Sequence, residues 1–265
     1  MAIFPSSAIP AAAAGGFSID NSLRFEDNAN LTWTAGTATN RKKFTFSCWA
    51  KLTELTAGNQ PFLSAGDTSN FVSIQIDNAG RLKVAELAGG AWSWNLKSTM
   101  KLRDFSAWYH ILMVVDTDQG TPANRVKVYI NGSEITVWDE ATYPSSGYSS
   151  LPINGSVLHK ICYDPWEYGS HYLAEVHFID GTALDPTSFG EEDTDYKHWK
   201  PIEVSGLTYG TNGFHLDFKL SAATSSGLGN DANGSNNWTP NNLASTDQMI
   251  DTPTNNFCTW NPLDP

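Results

Sequence analysis

From Phe17 onward the chain breaks into short segments in which apolar and polar residues alternate with period two, separated by clusters of Gly, Asn, Asp and Pro. Such alternation puts successive side chains on opposite faces of a strand, and its repetition at short intervals predicts an antiparallel β-sandwich. Between Phe44 and Leu52, one face carries Phe44, Phe46, Cys48, Ala50 and Leu52, the other Thr45, Ser47, Trp49 and Lys51. The first face should meet the core. Phe71 to Asp77 and Arg81 to Leu87 flank Asn78-Ala79-Gly80, whose glycine supplies the positive φ of a hairpin turn. Trp108 to Asp116 is apolar almost throughout and predicts a central strand covered on both faces.

Arg125 to Ile130 and Glu134 to Val137 are separated by Asn131-Gly132-Ser133, and Asn-Gly between alternating runs is a strong hairpin signal. Val157 to Tyr163 and His171 to Asp180 complete the pattern. Phe46, Cys48, Leu112, Val114, Val128, Ile130 and Val176 are the expected core positions. Helix is expected only as a turn near residues 185–189, with Asp185 as cap and Pro186 at the first helical position.

A chain of 265 residues can close one large all-β domain. The expected division is an extended N-terminal arm over 1–16, a jelly-roll sandwich over 17–220 and a C-terminal arm over 221–265. Past Lys219 there is no Lys or Arg, and Asn, Ser, Thr, Gly and Pro dominate. Few large apolar residues remain there, among them Leu228, Trp238, Leu243, Met249, Ile250, Phe257 and Trp260. They suit anchors dropped into grooves of the sandwich or of a neighbouring subunit. Residues 1–16, broken by Pro5 and Pro10, lack periodicity and should order only against a partner.

The formal charge of −12 and the absence of a basic stripe argue against nucleic acid as partner. Arg41-Lys42-Lys43 precedes an apolar strand and reads as its solvated entrance. Cys48, Cys162 and Cys258 are odd in number and lack CxxC spacing, so neither a disulfide framework nor a zinc site is expected. The first two fall in strand patterns as small buried hydrophobes. The start lacks a basic n-region and reads as no secretory signal, and no apolar run is long enough to span a membrane. Asn-x-Ser/Thr triplets such as Asn131-Gly132-Ser133 read as turn chemistry.

Four stretches, FTFSCWAKL, DFSAWYHILMVVD, RVKVYINGSEI and YLAEVHFIDGTALDPTSF, resemble in order the laminin-G-like branch of the concanavalin-A-like lectin and glucanase superfamily. The Trp-Tyr-His strand followed by Tyr-Ile-Asn-Gly is the most specific part. Where the family usually has an acidic pair, this chain has Ala174-Glu175. The resemblance implies a concanavalin-A-like, laminin-G-like jelly roll and a lectin-like role. The opening FPSSAIPAAAAGGFSIDNSLRF and the closing GNDANGSNNWTPNNLASTDQMIDTPTNNF resemble virion proteins of marine tailed bacteriophages. That likeness implies a fibre or surface appendage in the virion, a homo-oligomer with a trimer favoured, and other virion proteins as partners. LGNDANGSNNW also resembles the opening strand of a further such domain.

The superfamily's glucanases use a Glu-x-Asp-x-x-Glu strand that sets two carboxyls on one face. No stretch here has it, and Glu191-Glu192-Asp193-Thr194-Asp195 reads as a solvated acidic loop, so no catalytic residues are expected. His171 and His177, six apart on one strand, should share a face but stand too far apart for one metal, and no metal ligands are expected. Asp231 to Asn237 offers oxygens at alternate positions as a Ca²⁺ loop does, but its Gly falls at the wrong place and Asx-type turns explain it better. No cofactor is expected, Ca²⁺ being the only cation that the pattern suggests.

Two aromatic loops carry the functional signal. One supplies Trp138, Asp139, Tyr143 and Tyr148, the other Asp164, Trp166, Glu167 and Tyr168. Sugars present C–H faces to aromatic rings and hydroxyls to carboxylates, so these eight are candidate carbohydrate-binding residues. Strand parity places the two loops at opposite ends of a simple meander. The expected function is non-enzymatic adhesion to host surface glycans, with virion decoration or joining as the alternative and glycoside hydrolysis third.

Overall fold

The computed structural model describes residues 16–55, 58–149 and 152–255. In chain order the strands are β1 (Ser22–Phe25), β2 (Asn30–Thr34), β3 (Lys43–Leu52), β4 (Gln60–Gly66), β5 (Phe71–Ile76), β6 (Arg81–Ala88), β7 (Ala91–Lys101), β8 (Trp108–Asp116) and β9 (Val126–Ile130). There follow β10 (Ser133–Glu134), β11 (Trp138–Thr142), β12 (Leu158–Ile161), β13 (His171–Asp180), β14 (Gly190–Glu192), β15 (Trp199–Pro201), β16 (Phe214–Leu216), β17 (Thr239–Asn241) and β18 (Gln248–Met249).

They form two eight-stranded antiparallel sheets that face each other as a sandwich. The first runs β10-β9-β8-β3-β13-β1-β18, with β16 sharing the β1 side of β13, and the second runs β11-β7-β6-β5-β4-β12-β2-β17. The predicted inner face of β3, from Phe44 to Leu52, is at most 1% exposed. Phe46, Cys48, Leu112, Val128, Ile130 and Val176 are buried as expected, and Val114 is half-buried. Strand β8 lies between β3 and β9, which is the central place its composition predicts. Asn131 and Gly132 both take positive φ (49° and 75°), the signature of the tight turn that Asn-Gly specifies between β9 and β10. Asp185 caps the short 3₁₀ turn Pro186–Ser188 by accepting from the Thr187 N–H.

The outer face of β3 is buried too, because the chain between β13 and β16 folds over it as a third layer. Leu112, Ile179, Phe189 and Tyr209 form a cluster there, with Leu184, Val204 and Leu207 against it. The β14–β15 ribbon belongs to this layer. Glu191 and Glu192 are therefore in a paired strand and not in a loop, exposed and ion-paired with Lys200 and Lys197.

Residues 221–255 belong to the sandwich. β17 pairs with β2 and β18 with β1, so this segment adds an outer strand to each sheet. Leu228 and Trp238 are wholly buried and Leu243 nearly so, all in the main core. Of the two expected places, Leu228, Trp238 and Leu243 take grooves of the sandwich itself, Ile250 stays 73% exposed, and the sandwich does not end at residue 220. Residues 1–15, Phe257, Cys258 and Trp260 lie outside the described residues.

The outermost strands are short. β10 and β18 have two residues each, β17 contains Pro240, and β11 presents Asp139 and Glu140. Among the described residues no helix is long and apolar enough to cross a membrane.

Besides His177, three histidines are buried at neutral charge. Burial pushes His159 down to about 4, and His110 and His171 to about 3, from an ordinary value of 6.5. As pH falls below about 6.5 the unfolded chain takes up these protons and the folded chain does not, so stability declines until the folded values are reached. Each histidine should contribute a loss on the order of 1 kcal/mol per pH unit in that window. Urea midpoints measured from about pH 7 down to about pH 5 should fall steadily; a flat profile would contradict the buried neutral state.

Candidate carbohydrate-binding site

The turn between β12 and β13 is set by Asp164-Pro165-Trp166-Glu167. Asp164 Oδ1 accepts the N–H groups of Trp166 and Glu167, both at 2.9 Å, and its own N–H donates to the Glu167 carbonyl. Aspartate at the first and proline at the second place favour such a turn, because one side chain binds backbone N–H and the other fixes φ. Tyr163 and Tyr168 bridge its base and stack at 4.4 Å, and the Ser64 hydroxyl donates to the Tyr163 carbonyl across the outer face of β4. This turn leaves Trp166 at its tip, 53% exposed, with its ring edge-on to buried Phe71 at 4.8 Å.

A second indole meets the same phenylalanine. Trp92, 52% exposed, packs on Phe71 at 6.0 Å, and Lys83 Nζ sits 4.1 Å from the Trp92 ring centre. Beside them opens a groove of about 750 Å³ whose lining includes Arg41, Asp67, Asn70, Leu158, Lys160 and Tyr163. That size is ordinary for a small-ligand site. Lys160 Nζ donates to the Gly66 carbonyl at 2.7 Å, which anchors the ammonium at the groove wall.

Asp164 is buried, and desolvation raises its pKa, against the pull of the two N–H groups it accepts and of Lys160. Its hydrogen bonds are those of the turn. Glu167 lies against Gly58, where an added Cβ would collide with its carboxylate. These two carboxylates hold the loop together.

The other aromatic loop is used differently. Trp138, Tyr143 and Tyr148 are half-buried against the core. Asp139 pairs with Arg81 at 2.9 Å and Lys97 at 3.4 Å. Of the eight candidates, Asp164, Trp166, Glu167 and Tyr168 share one turn, while the other four serve the β11 side of the second sheet.

On the third layer lies a cluster that period-two reading missed. β13 carries a bulge: two residues, Glu175 and Val176, stand between Ala174 and His177, where β3 has only Cys48. The extra residue inverts parity, so His171 points into the core against Phe62 while His177 points out beneath Phe189 and Tyr209. The two do not share a face. His177 stacks on His215 of β16 at 4.1 Å, and Glu175 Oε2 is 2.7 Å from His215 Nε2. Burial alone would raise Glu175, but hydrogen bonds and charge from His177 and His215 outweigh it and hold the carboxyl well below its usual range.

Nearby, the Trp199 indole N–H donates to His110 Nδ1 at 3.1 Å, which leaves Nε2 as the protonated nitrogen, 2.8 Å from the Ser47 hydroxyl. His110 is a satisfied core histidine. Asp231 accepts the N–H groups of His215, Asn233 and Asn236, so its oxygens close an Asx-type turn.

The sequence profile of a family within the concanavalin A-like lectin/glucanases superfamily matches residues 25–159, half of the chain. The chain belongs to that superfamily. No curated protein sequence matches it. Among solved structures, a Bacteroides ovatus protein provisionally named as carbohydrate binding aligns over 88% of this chain and 60% of its own, at 18% identity and a TM-score of 0.59. This chain thus spans about three fifths of that protein. A heptameric SAP-like pentraxin from Limulus polyphemus aligns over 63% of this chain and 78% of its own, at 15% identity and 0.44. The CBM40 of a Ruminococcus gnavus sialidase, bound to α2,3-sialyllactose, aligns over 59% and 91%, at 15% identity and 0.41. At 18% identity and a TM-score of 0.59, the likeness to the Bacteroides ovatus protein speaks to the fold alone. That fold is the lectin-like sandwich.

Proposed function

We propose that this domain is a non-enzymatic carbohydrate-binding module whose site is the Trp166 turn, Trp92 and the adjoining groove. The observation that carries the reading is the pair of half-exposed indoles held against one buried ring, Phe71, beside an open groove with charged and amide groups. Flat aromatic faces take the C–H faces of a pyranose, and Asn70, Asp67 and the lysines supply hydroxyl partners. Such rings are rigid before binding, so little entropy is lost in ordering them. Hydrolysis would need a free carboxylate pair, whereas Asp164 closes its own turn and Glu167 is packed on Gly58.

The setting we propose is a virion fibre or surface appendage that meets glycans of a host surface. What supports it is the likeness of the terminal segments to phage virion proteins.

On a glycan array the protein should bind a restricted set of sugars, and titration calorimetry on the best of them should show at least about a tenfold loss for Trp166→Ala and for Trp92→Ala. Trp138→Ala should leave binding unchanged. Failure to bind any glycan, or equal binding by both tryptophan variants, would refute the assignment. Release of reducing ends from a bound polysaccharide would instead favour an enzyme.

A further inference from the structure

On the outer face of the first sheet, the bulge of β13 brings together three side chains of the kind that ligate metals. His177 of β13 and His215 of β16 are direct cross-strand partners, and Glu175 precedes His177 by two. Glu175 Oε2 lies 3.3 Å from His177 Nε2 and 2.7 Å from His215 Nε2, and the three ligand atoms all fall within 4.8 Å of one another. Tetrahedral ligands held about 2.1 Å from an ion stand about 3.4 Å apart, so the 2.7 Å contact would open and the widest pair, within 4.8 Å, would close toward that spacing.

We propose that Glu175, His177 and His215 form a binding site for one divalent transition-metal ion of the Zn²⁺ class. A second observation points to a ligand. His177 is 1% exposed, and its buried Nε2 makes no well-directed hydrogen bond, its one polar neighbour being Glu175 Oε2 at 3.3 Å. A buried imidazole nitrogen held this poorly is costly, and an ion between it and the carboxylate would satisfy both. Its other nitrogen, Nδ1, lies 2.8 Å from the Tyr209 hydroxyl, the arrangement by which an outer partner orients a ligating histidine.

Two imidazoles with one carboxylate select borderline metals over Ca²⁺ or Mg²⁺, which take mostly oxygen. Three protein ligands leave one position for water, on the side where His215 is 20% exposed. The ion would clamp β16 to β13. It is independent of the glycan reading, which concerns the other sheet.

The test is titration of chelator-treated protein with Co²⁺ and Zn²⁺. The expected result is one equivalent per chain, visible ligand-field absorption from bound Co²⁺, and a rise in melting temperature with Zn²⁺. Glu175→Gln, which keeps the shape of the side chain, and His215→Ala should each weaken affinity by more than about tenfold. His198→Ala, at an exposed histidine outside the cluster, should bind as wild type. No saturable binding by the wild-type chain, or unchanged affinity in both cluster variants, would overturn the proposal.

Discussion

Trp238→Ala should destabilise the domain by about 3–5 kcal/mol, the range for removing a fully buried large aromatic residue. Trp238 is 0% exposed, packs edge-on to Phe214 at 4.9 Å and tilted against Trp33 at 5.6 Å, and joins the main core from the polar C-terminal segment. Its backbone N–H donates to the Gly229 carbonyl at 2.7 Å, while its buried indole N–H has no hydrogen-bond partner. The backbones approach so closely there that a Cβ on Gly229 would overlap the Trp238 carbonyl. Little can move in to fill the space the indole leaves. Urea unfolding is the measurement, with Ile250→Ala, at a residue 73% exposed, as the near-neutral comparison. A loss below about 1 kcal/mol for Trp238→Ala would mean that this segment contributes little to the core.

Asp180→Ala should be comparably severe, again about 3–5 kcal/mol, because it strands two donors of buried residues, Asn154 and Asn212, and two more on Thr39 and Asn40 at once. Asp180 is 2% exposed at the end of β13. Its Oδ2 accepts from the N–H groups of Thr39 at 2.6 Å and Asn212 at 3.1 Å. Its Oδ1 accepts from Asn40 N–H at 3.1 Å and from the Asn154 side-chain amide at 2.7 Å. Asn212 also donates to Asn154, so one carboxylate ties three separate connections to the sheet. Asp180→Asn should recover only part of the loss, since one acceptor becomes a donor facing donors. Thermal melts of the two variants check this; a wild-type melting temperature for Asp180→Ala would disprove the role given to the network.

The strands at Phe44 to Leu52, Phe71 to Asp77, Arg81 to Leu87, Trp108 to Asp116, Arg125 to Ile130 and His171 to Asp180, and the inner face of β3, were legible because period two follows directly from backbone geometry. Phe44 to Leu52 and Trp108 to Asp116 behave as their patterns require. The misplaced facing of His177 arises where one residue is inserted, at the bulge of Glu175. A similar shift between Trp92 and Trp94 turns one indole outward and the other into the core. Counting by twos cannot detect an insertion whose cause is the partner strand. For that reason neither the Glu175, His177 and His215 cluster nor the outward place of Trp92 beside Lys83 could be read in advance. The exposed place of Trp166 could be, since Asp164-Pro165 sets a local turn. Leu228, Trp238 and Leu243 announced burial through their size, but without periodicity nothing in the sequence said whose grooves they fill.

The short outer strands bear on how copies of this domain meet. Recruiting a strand from another molecule requires a row of unpaired N–H and C=O groups several residues long. β10 and β18 offer two residues each, β17 is interrupted by Pro240, which has no N–H, and β11 sets Asp139 and Glu140 beside the approach. Among the described residues, the outer strands of the two large sheets thus give a second copy little backbone on which to continue either sheet.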